Sequence, residues 1–104
     1  MHIISYKKIK IFCDRHPNAA KPLNHWYRII KYENFKMFAD IKKLFPSADQ
    51  VGNFVVFNIG GNKFRLITFI RYQMGRLFIR HILTHNEYDK GKWKEDEWFK
   101  YTKN

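Results

Sequence analysis

The sequence predicts an α+β fold, with helices packed on one face of a small, mostly antiparallel sheet. Three observations carry this prediction. Apolar residues recur at helical spacing as far as residue 45. Apolar, β-branched runs separated by hairpin turns then follow from residue 54 to residue 84. The chain has 104 residues, which suits a single domain over 1–104.

Ile3-Ile4 marks a short first strand that is expected to join the sheet, and Ser5 stands where it can cap the next helix. Ile9, Phe12, Cys13 and His16 fall at i, i+3, i+4 and i+7, one stripe of that helix. His16-Pro17 ends it, because the residue before a proline is pushed out of the α region. A second helix is predicted from Asn18, its expected N-cap, to Tyr32. Leu23, Trp26, Tyr27 and Ile30 form its apolar stripe, and Pro22 lies near the first turn, where a missing N–H costs little. A third helix, capped by Asn34, is predicted over 35–45. Phe38, Ile41 and Phe45 share its inner face and Pro46 stops it. Residues 47–53 read as a loop.

The period then changes. Residues 54–59 are a strand, Gly60-Gly61-Asn62 a hairpin turn, and 63–72 the next strand. Residues 73–75 turn the chain again and 76–84 complete an antiparallel meander. The tail after Glu87 is charged but contains Trp93, Trp98, Phe99 and Tyr101, so a short helix laid over the sheet is expected.

Charge narrows the function. Twenty Lys and Arg face nine Asp and Glu, a formal net charge of +11. A soluble chain this small and basic usually meets a polyanion. No carboxylate occurs between Asp49 and Glu87, a stretch that holds Lys63, Arg65, Arg71, Arg76, Arg80, His81 and His85. A phosphate backbone is the natural counter-ion for such a run. The single cysteine, Cys13, excludes an intrachain disulfide and reads as a small buried thiol. No apolar run approaches the roughly 18 residues of a membrane span. Residues 1–10 are too polar and lysine-rich for a secretory signal, so a cytoplasmic location and no membrane partner are expected.

Alternation on the central strand sends Phe64, Leu66, Thr68 and Ile70 to one face and Arg65, Ile67, Phe69 and Arg71 to the other. On the last strand it groups Leu77, Ile79, His81 and Leu83 against Phe78, Arg80, Ile82 and Thr84. The face away from the helices then mixes Arg65, Arg71 and Arg80 with Phe69 and Phe78. Arginines among aromatics grip phosphates and stack bases. The same arginines equally suit pairing with tail carboxylates such as Glu95 or Glu97. At the strand's end, His85 can take or give a proton near neutral pH, with Tyr88 three residues on as a partner, or it can serve as a structural hydrogen-bonder. A two-metal nuclease needs clustered carboxylates, which the basic stretch lacks, and His81 and His85 have no third ligand nearby. No metal or cofactor is therefore expected. Gly60-Gly61-Asn62-Lys63 lacks the spacing and context of a P-loop.

Three segments together resemble the HigB family of toxins, within the RelE-like group. They are Phe45-Pro46-Ser47-Ala48-Asp49, Val56-Phe57-Asn58-Ile59-Gly60-Gly61-Asn62-Lys63-Phe64-Arg65-Leu66, and Thr84-His85-Asn86-Glu87-Tyr88-Asp89. The likeness runs from His2 to Asp89, and the tail 90–104 falls outside it. The resemblance implies a RelE-like fold and a metal-independent endoribonuclease that cuts mRNA on the translating ribosome, leaving a 2′,3′-cyclic phosphate and a 5′-OH. It implies a HigA-type helix-turn-helix antitoxin as partner, with operator DNA reached only through that antitoxin. In this scheme Arg65 clamps the phosphate, His85 and Tyr88 share proton transfer, and Lys63, Arg71 and Arg80 support RNA binding. Asn58, Gly60, Gly61 and Asn62 match the family motif, the glycines as turn geometry. Two other readings stand beside it: a non-catalytic RNA- or ribosome-binding module using the same basic face, and a toxin-fold protein that is mainly a co-repressor with its antitoxin on operator DNA.

Overall fold

Five strands form one sheet in the order β1-β5-β4-β3-β2. The structure, a computed structural model, describes residues 1–100. The strands are β1 (His2–Ile4), β2 (Asp49–Val51), β3 (Phe54–Ile59), β4 (Phe64–Arg71) and β5 (Arg76–Thr84). The helices are α1 (Lys7–Arg15), α2 (Ala20–Tyr32), α3 (Phe38–Leu44), α4 (His85–Lys90) and α5 (Glu97–Lys100). Strands β2 to β5 run antiparallel to their neighbours, and β1 joins β5 in parallel. The result is the α+β, mostly antiparallel architecture that the sequence predicts.

Helices α1–α3 cover one face. Ile9 from α1, Leu23, Trp26 and Ile30 from α2, and Ile41 from α3 pack on Val55, Phe57, Leu66, Ile70, Leu77 and Ile79. Trp26 and Phe45 both meet the Phe57 ring edge-on, at 5.4 and 5.2 Å between centroids. Cys13 is half-buried against this core, and its burial, with Asp14 nearby, raises the thiol pKa.

The other face is closed by the tail. Trp93 joins Phe54, Val56 and Ile67 in a second cluster, with Trp98 and Phe99 packed against it. Both faces of β3 are thus buried, which explains its unbroken apolar run. Tyr101, grouped with these aromatics in the sequence, lies outside the described residues.

Local starts differ from the sequence reading. Ser5 offers α1 no side-chain cap; it sits at φ 78° and its carbonyl accepts the Lys8 N–H at 2.9 Å. Asn18 lies in a 3-10 turn, Pro17–Ala19, ahead of α2. Helix α3 begins after Met37 rather than Asn34, because the Asp40 carboxylate accepts the Lys36 N–H at 2.9 Å and fixes the turn there. Residues 49–51, read as loop, pair with β3.

The largest departure is a β-bulge. Thr68 faces Ile79 but Ile67 faces His81, so Arg80 is an extra residue on β5. Parity flips there. Leu77 and Ile79 face the helices as expected, and Ile82 joins them, whereas Leu83 packs with the tail-side cluster. His81 leaves the face assigned by simple alternation and, with Arg80, reaches Asp96 in the tail.

Asp96 fastens that tail. Its carboxylate accepts Arg80 Nε at 3.0 Å and a second Arg80 nitrogen at 2.9 Å, lies 2.8 Å from His81 Nε2, and accepts the Trp98 N–H at 2.8 Å. Arg80 also lies 3.9 Å over the Trp98 ring. Burial opposes ionisation of Asp96. The hydrogen bonds from Arg80, the Trp98 N–H and His81, with the Arg80 charge, outweigh it and bring the carboxyl down to about 2. A carboxyl depressed on folding stabilises above its unfolded pKa and loses that contribution as pH falls through the folded value. Between about pH 4 and pH 2 the protein is therefore expected to lose about 2 kcal/mol through this group. Thermal melts across that window check it: the wild-type advantage over Asp96→Asn should shrink with acid. Parallel curves would show that Asp96 does not fasten the tail.

Candidate active site

The β4–β5 ladder brings the turn at 60–63 beside the start of α4. Gly60 and Gly61 stand at φ 64° and 69°, conformations that only glycine adopts freely, and let the chain reverse between β3 and β4. Phe64 faces Thr84 across the ladder, so Arg65 and His85 fall at one end of the sheet. The His85 N–H donates to the Lys63 carbonyl at 2.9 Å and ties the hairpin to α4. A capping box fixes that helix: Thr84 Oγ1 accepts the Glu87 N–H, and Glu87 accepts the Thr84 N–H at 2.9 Å.

Arg65 is 8% exposed. One terminal nitrogen donates to the carbonyls of Asn62 and Phe64, each at 3.2 Å, and the other to Asn62 Oδ1 at 2.5 Å. Its guanidinium carbon lies 5.4 Å from the Tyr88 ring centroid. The far face of this arrangement is Trp93, stacked on Tyr88 at 5.1 Å and 10° and donating Nε1–H to the Tyr88 carbonyl at 3.1 Å. Burial raises the Tyr88 pKa; Asp49 and Asp89 add to this and Arg65 opposes it. Tyr88 therefore holds its proton at neutral pH. His85, with a side chain 46% exposed, has Nε2 3.2 Å from Asp89 one turn on.

Lys63, Arg65, His85 and Tyr88 thus stand together. Arg71 and Arg80 do not join them. Arg71 is at the opposite end of β4, six residues and about 20 Å along the strand from Arg65. Arg80 is at the bulge, bound to Asp96, a tail carboxylate other than Glu95 and Glu97. Beside α4 lies a cavity of about 390 Å³ lined by His81, Leu83, Glu87, Lys90, Lys92 and Trp93. Alternation hid His81 and the tail residues from this site. The polar pair Arg80-His81, interrupting an apolar strand, was the available signal of a bulge.

Arg65, His85 and Tyr88 thus place a guanidinium, an imidazole and a phenol at one end of the sheet of a small, basic α+β protein. Comparison with known proteins assigns the family. Residues 19–91 match the family model described as HigB toxin, RelE-like toxic component of a toxin–antitoxin system. The chain is 36% identical over 93 residues to the mRNA interferase HigB of Escherichia coli O6:H1, covering 86% of this chain and 90% of the relative. It is 32% identical over 92 residues to the mRNA interferase toxin HigB of Escherichia coli K12, covering 86% and 88%, and equally to the mRNA interferase HigB of Shigella flexneri. The chain belongs to the HigB toxin family, which implies an antitoxin partner. Among the described residues no helix is long and apolar enough to cross a membrane.

Proposed function

We propose that this toxin is an endoribonuclease that cleaves mRNA at the junction of the 60–63 turn and α4. The observation that carries the reading is the convergence of Arg65, His85 and Tyr88 there, beside the cationic Lys63. The substrate 2′-OH attacks the adjacent phosphorus; the P–O2′ bond forms and the P–O5′ bond breaks. His85 takes the 2′ proton, and Asp89, in contact with its ring, steadies the imidazolium. Tyr88, protonated at neutral pH, gives a proton to the departing 5′-oxygen. Arg65, with Lys63, meets the charge that grows on the phosphate. The products are a 2′,3′-cyclic phosphate and a 5′-OH. Arg71 and Arg80 lie too far along the sheet to touch the same phosphate and would serve a longer RNA. The reading extends to ribosome-bound mRNA in the cytoplasm as target and to a HigA-type helix-turn-helix antitoxin, through which operator DNA is reached.

Purified toxin added to a translation mixture is expected to yield shortened mRNA with those two end groups on a denaturing gel. Intact mRNA under arrested translation would instead establish a non-catalytic binder. The chemistry assigned to these side chains asks for no metal, and among the described residues no three His, Cys, Asp or Glu side chains converge. Once the ribosome's own need for magnesium is controlled for, EDTA is therefore expected to leave cleavage intact, a proton-transfer mechanism being independent of divalent ions. Loss of cleavage with recovery on one specific divalent ion would overturn that mechanism.

A further inference from the structure

Strand β1 pairs only with residues 76–78 of β5, so among the described residues no strand covers the outer edge at 79–84. Helix α1 stands along one side of this edge, and α4 with the 3-10 turn Lys92–Glu95 along the other. A cavity of about 270 Å³ on the α1 side and the 390 Å³ cavity on the α4 side share His81 and Leu83, so the two adjoin across the strand edge as the two halves of a groove. Lys8 and Arg15 line one wall; Lys90 and Lys92 line the other.

The groove is rich in unneutralised cations. Arg15, Lys90 and Lys92 have no ion pair among the described residues. Glu87, the one carboxylate that lines either cavity, closes the α4 capping box, and Asp96, 3% exposed, holds Arg80 and His81. The ammonium of Lys8 is disfavoured first by burial and then by the Arg80 charge, so cations here press on one another. Anionic ligand charge would relieve both.

We propose that this groove binds the sugar–phosphate backbone of single-stranded RNA, with Lys8, Arg15, Lys90 and Lys92 as its phosphate contacts. The inference rests on the RNA-cleaving reading above and extends it: helix α4 presents His85 and Tyr88 to the cleavage site and Lys90 to the groove, so one RNA strand passes from one to the other. An added peptide strand fits the edge less well. The bulge at Arg80 breaks the regular ladder, and Lys8 Nζ already donates to the Arg80 carbonyl at 3.1 Å. A bulge and an edge lysine are both features that discourage strand pairing.

The test measures binding of a twelve-nucleotide 2′-O-methyl RNA, which lacks the attacking hydroxyl, by fluorescence anisotropy across a salt series. The combined variant Lys8→Ala, Arg15→Ala, Lys90→Ala, Lys92→Ala is compared with Lys21→Ala, Arg28→Ala, Lys36→Ala, Lys43→Ala, which removes the same charge from exposed positions of α2, α3 and the segment between them. Each phosphate contact on single strands contributes about 0.7 to the slope of log K against log salt, so the groove variant is expected to lose about 3 in slope and roughly 10²-fold in affinity. The control should lose less than about 1 in slope, since it removes no direct contact. The double variant Lys90→Ala, Lys92→Ala leaves the Lys8–Arg80 contact intact and should show about half the slope change. Equal effects from groove and control variants, while the wild type still cleaves mRNA, overturn the groove and spare the cleavage reading. Unchanged RNA binding with lost antitoxin binding likewise overturns it and makes the groove a protein-docking surface. A wild type that neither binds nor cleaves RNA overturns both.

Discussion

Arg65→Ala is expected to slow mRNA cleavage by about 10²–10³, with the loss in kcat rather than KM, because removing one preorganised donor to developing charge costs roughly 3–4 kcal/mol of barrier. The residue also has a structural duty. Its guanidinium gives three hydrogen bonds to Asn62 and Phe64, and removing them leaves acceptors in the turn without their donor, at a cost of roughly 1–3 kcal/mol of stability. Two companions separate the duties. Asn62→Ala removes the side-chain acceptor of the Arg65 fork while keeping the arginine, and is expected to retain cleavage within about ten-fold, since the charge facing the phosphate remains. Arg65→Lys keeps the charge but not the planar fork, and should fall between wild type and alanine. Rates are compared per folded molecule, with melting temperature and antitoxin binding measured alongside. If Asn62→Ala loses as much activity as Arg65→Ala, the arginine serves the turn and not the phosphate.

Much of this architecture follows from periodicity. The helical stripes of α1 and α2 and the runs of β3 and β4 give both element type and buried face. The antiparallel β4–β5 ladder, turned at 72–75, then brings Arg65 towards His85. What periodicity could not show is set by long-range partners. A bulge is invisible to a period-2 count, which places His81, Ile82 and Leu83 on the wrong faces and Leu77 and Ile79 on the right one. Strand β2 is three residues at the sheet's rim, Asp-Gln-Val, too short to alternate, and is a strand only because β3 pairs with it. Helix α3 starts late because the Asp40 carboxylate holds the turn at the Lys36 N–H, in place of a cap from Asn34.

The tail is the instructive case. Its aromatics predict burial, and Trp93, Trp98 and Phe99 do pack on the sheet. Which carboxylate meets Arg80 depends on the turn after Trp93, where Asp96 lies inward and its neighbours Glu95 and Glu97 remain exposed. Residues 92–100 lie beyond the stretch matched by the family model, yet Trp93 forms the wall behind Tyr88. The Tyr88 ring is therefore held by packing that the matched segment alone does not supply.

His85→Ala is expected to slow cleavage by about 10²–10⁴, the usual contribution of a positioned acid or base. The fold should tolerate the change. The bond that ties α4 to the hairpin is the backbone N–H of His85 to the Lys63 carbonyl, which alanine keeps. The side chain is nearly half exposed, and its contact with Asp89 is of the surface type that contributes little. Melting temperature should consequently stay within about 2 °C of wild type, as for surface substitutions in general. One readout distinguishes proton transfer from a structural role: free imidazole should restore part of the rate to the alanine variant but add nothing to Arg65→Ala. Tyr88→Phe, which keeps the ring stacked on Trp93 and under Arg65 but removes the proton, should lose rate with no comparable loss of stability. A His85→Ala protein that arrests growth as strongly as wild type at equal expression would remove this residue from the chemistry and turn attention to His81, the imidazole bound to Asp96 that lines the cavity beside α4.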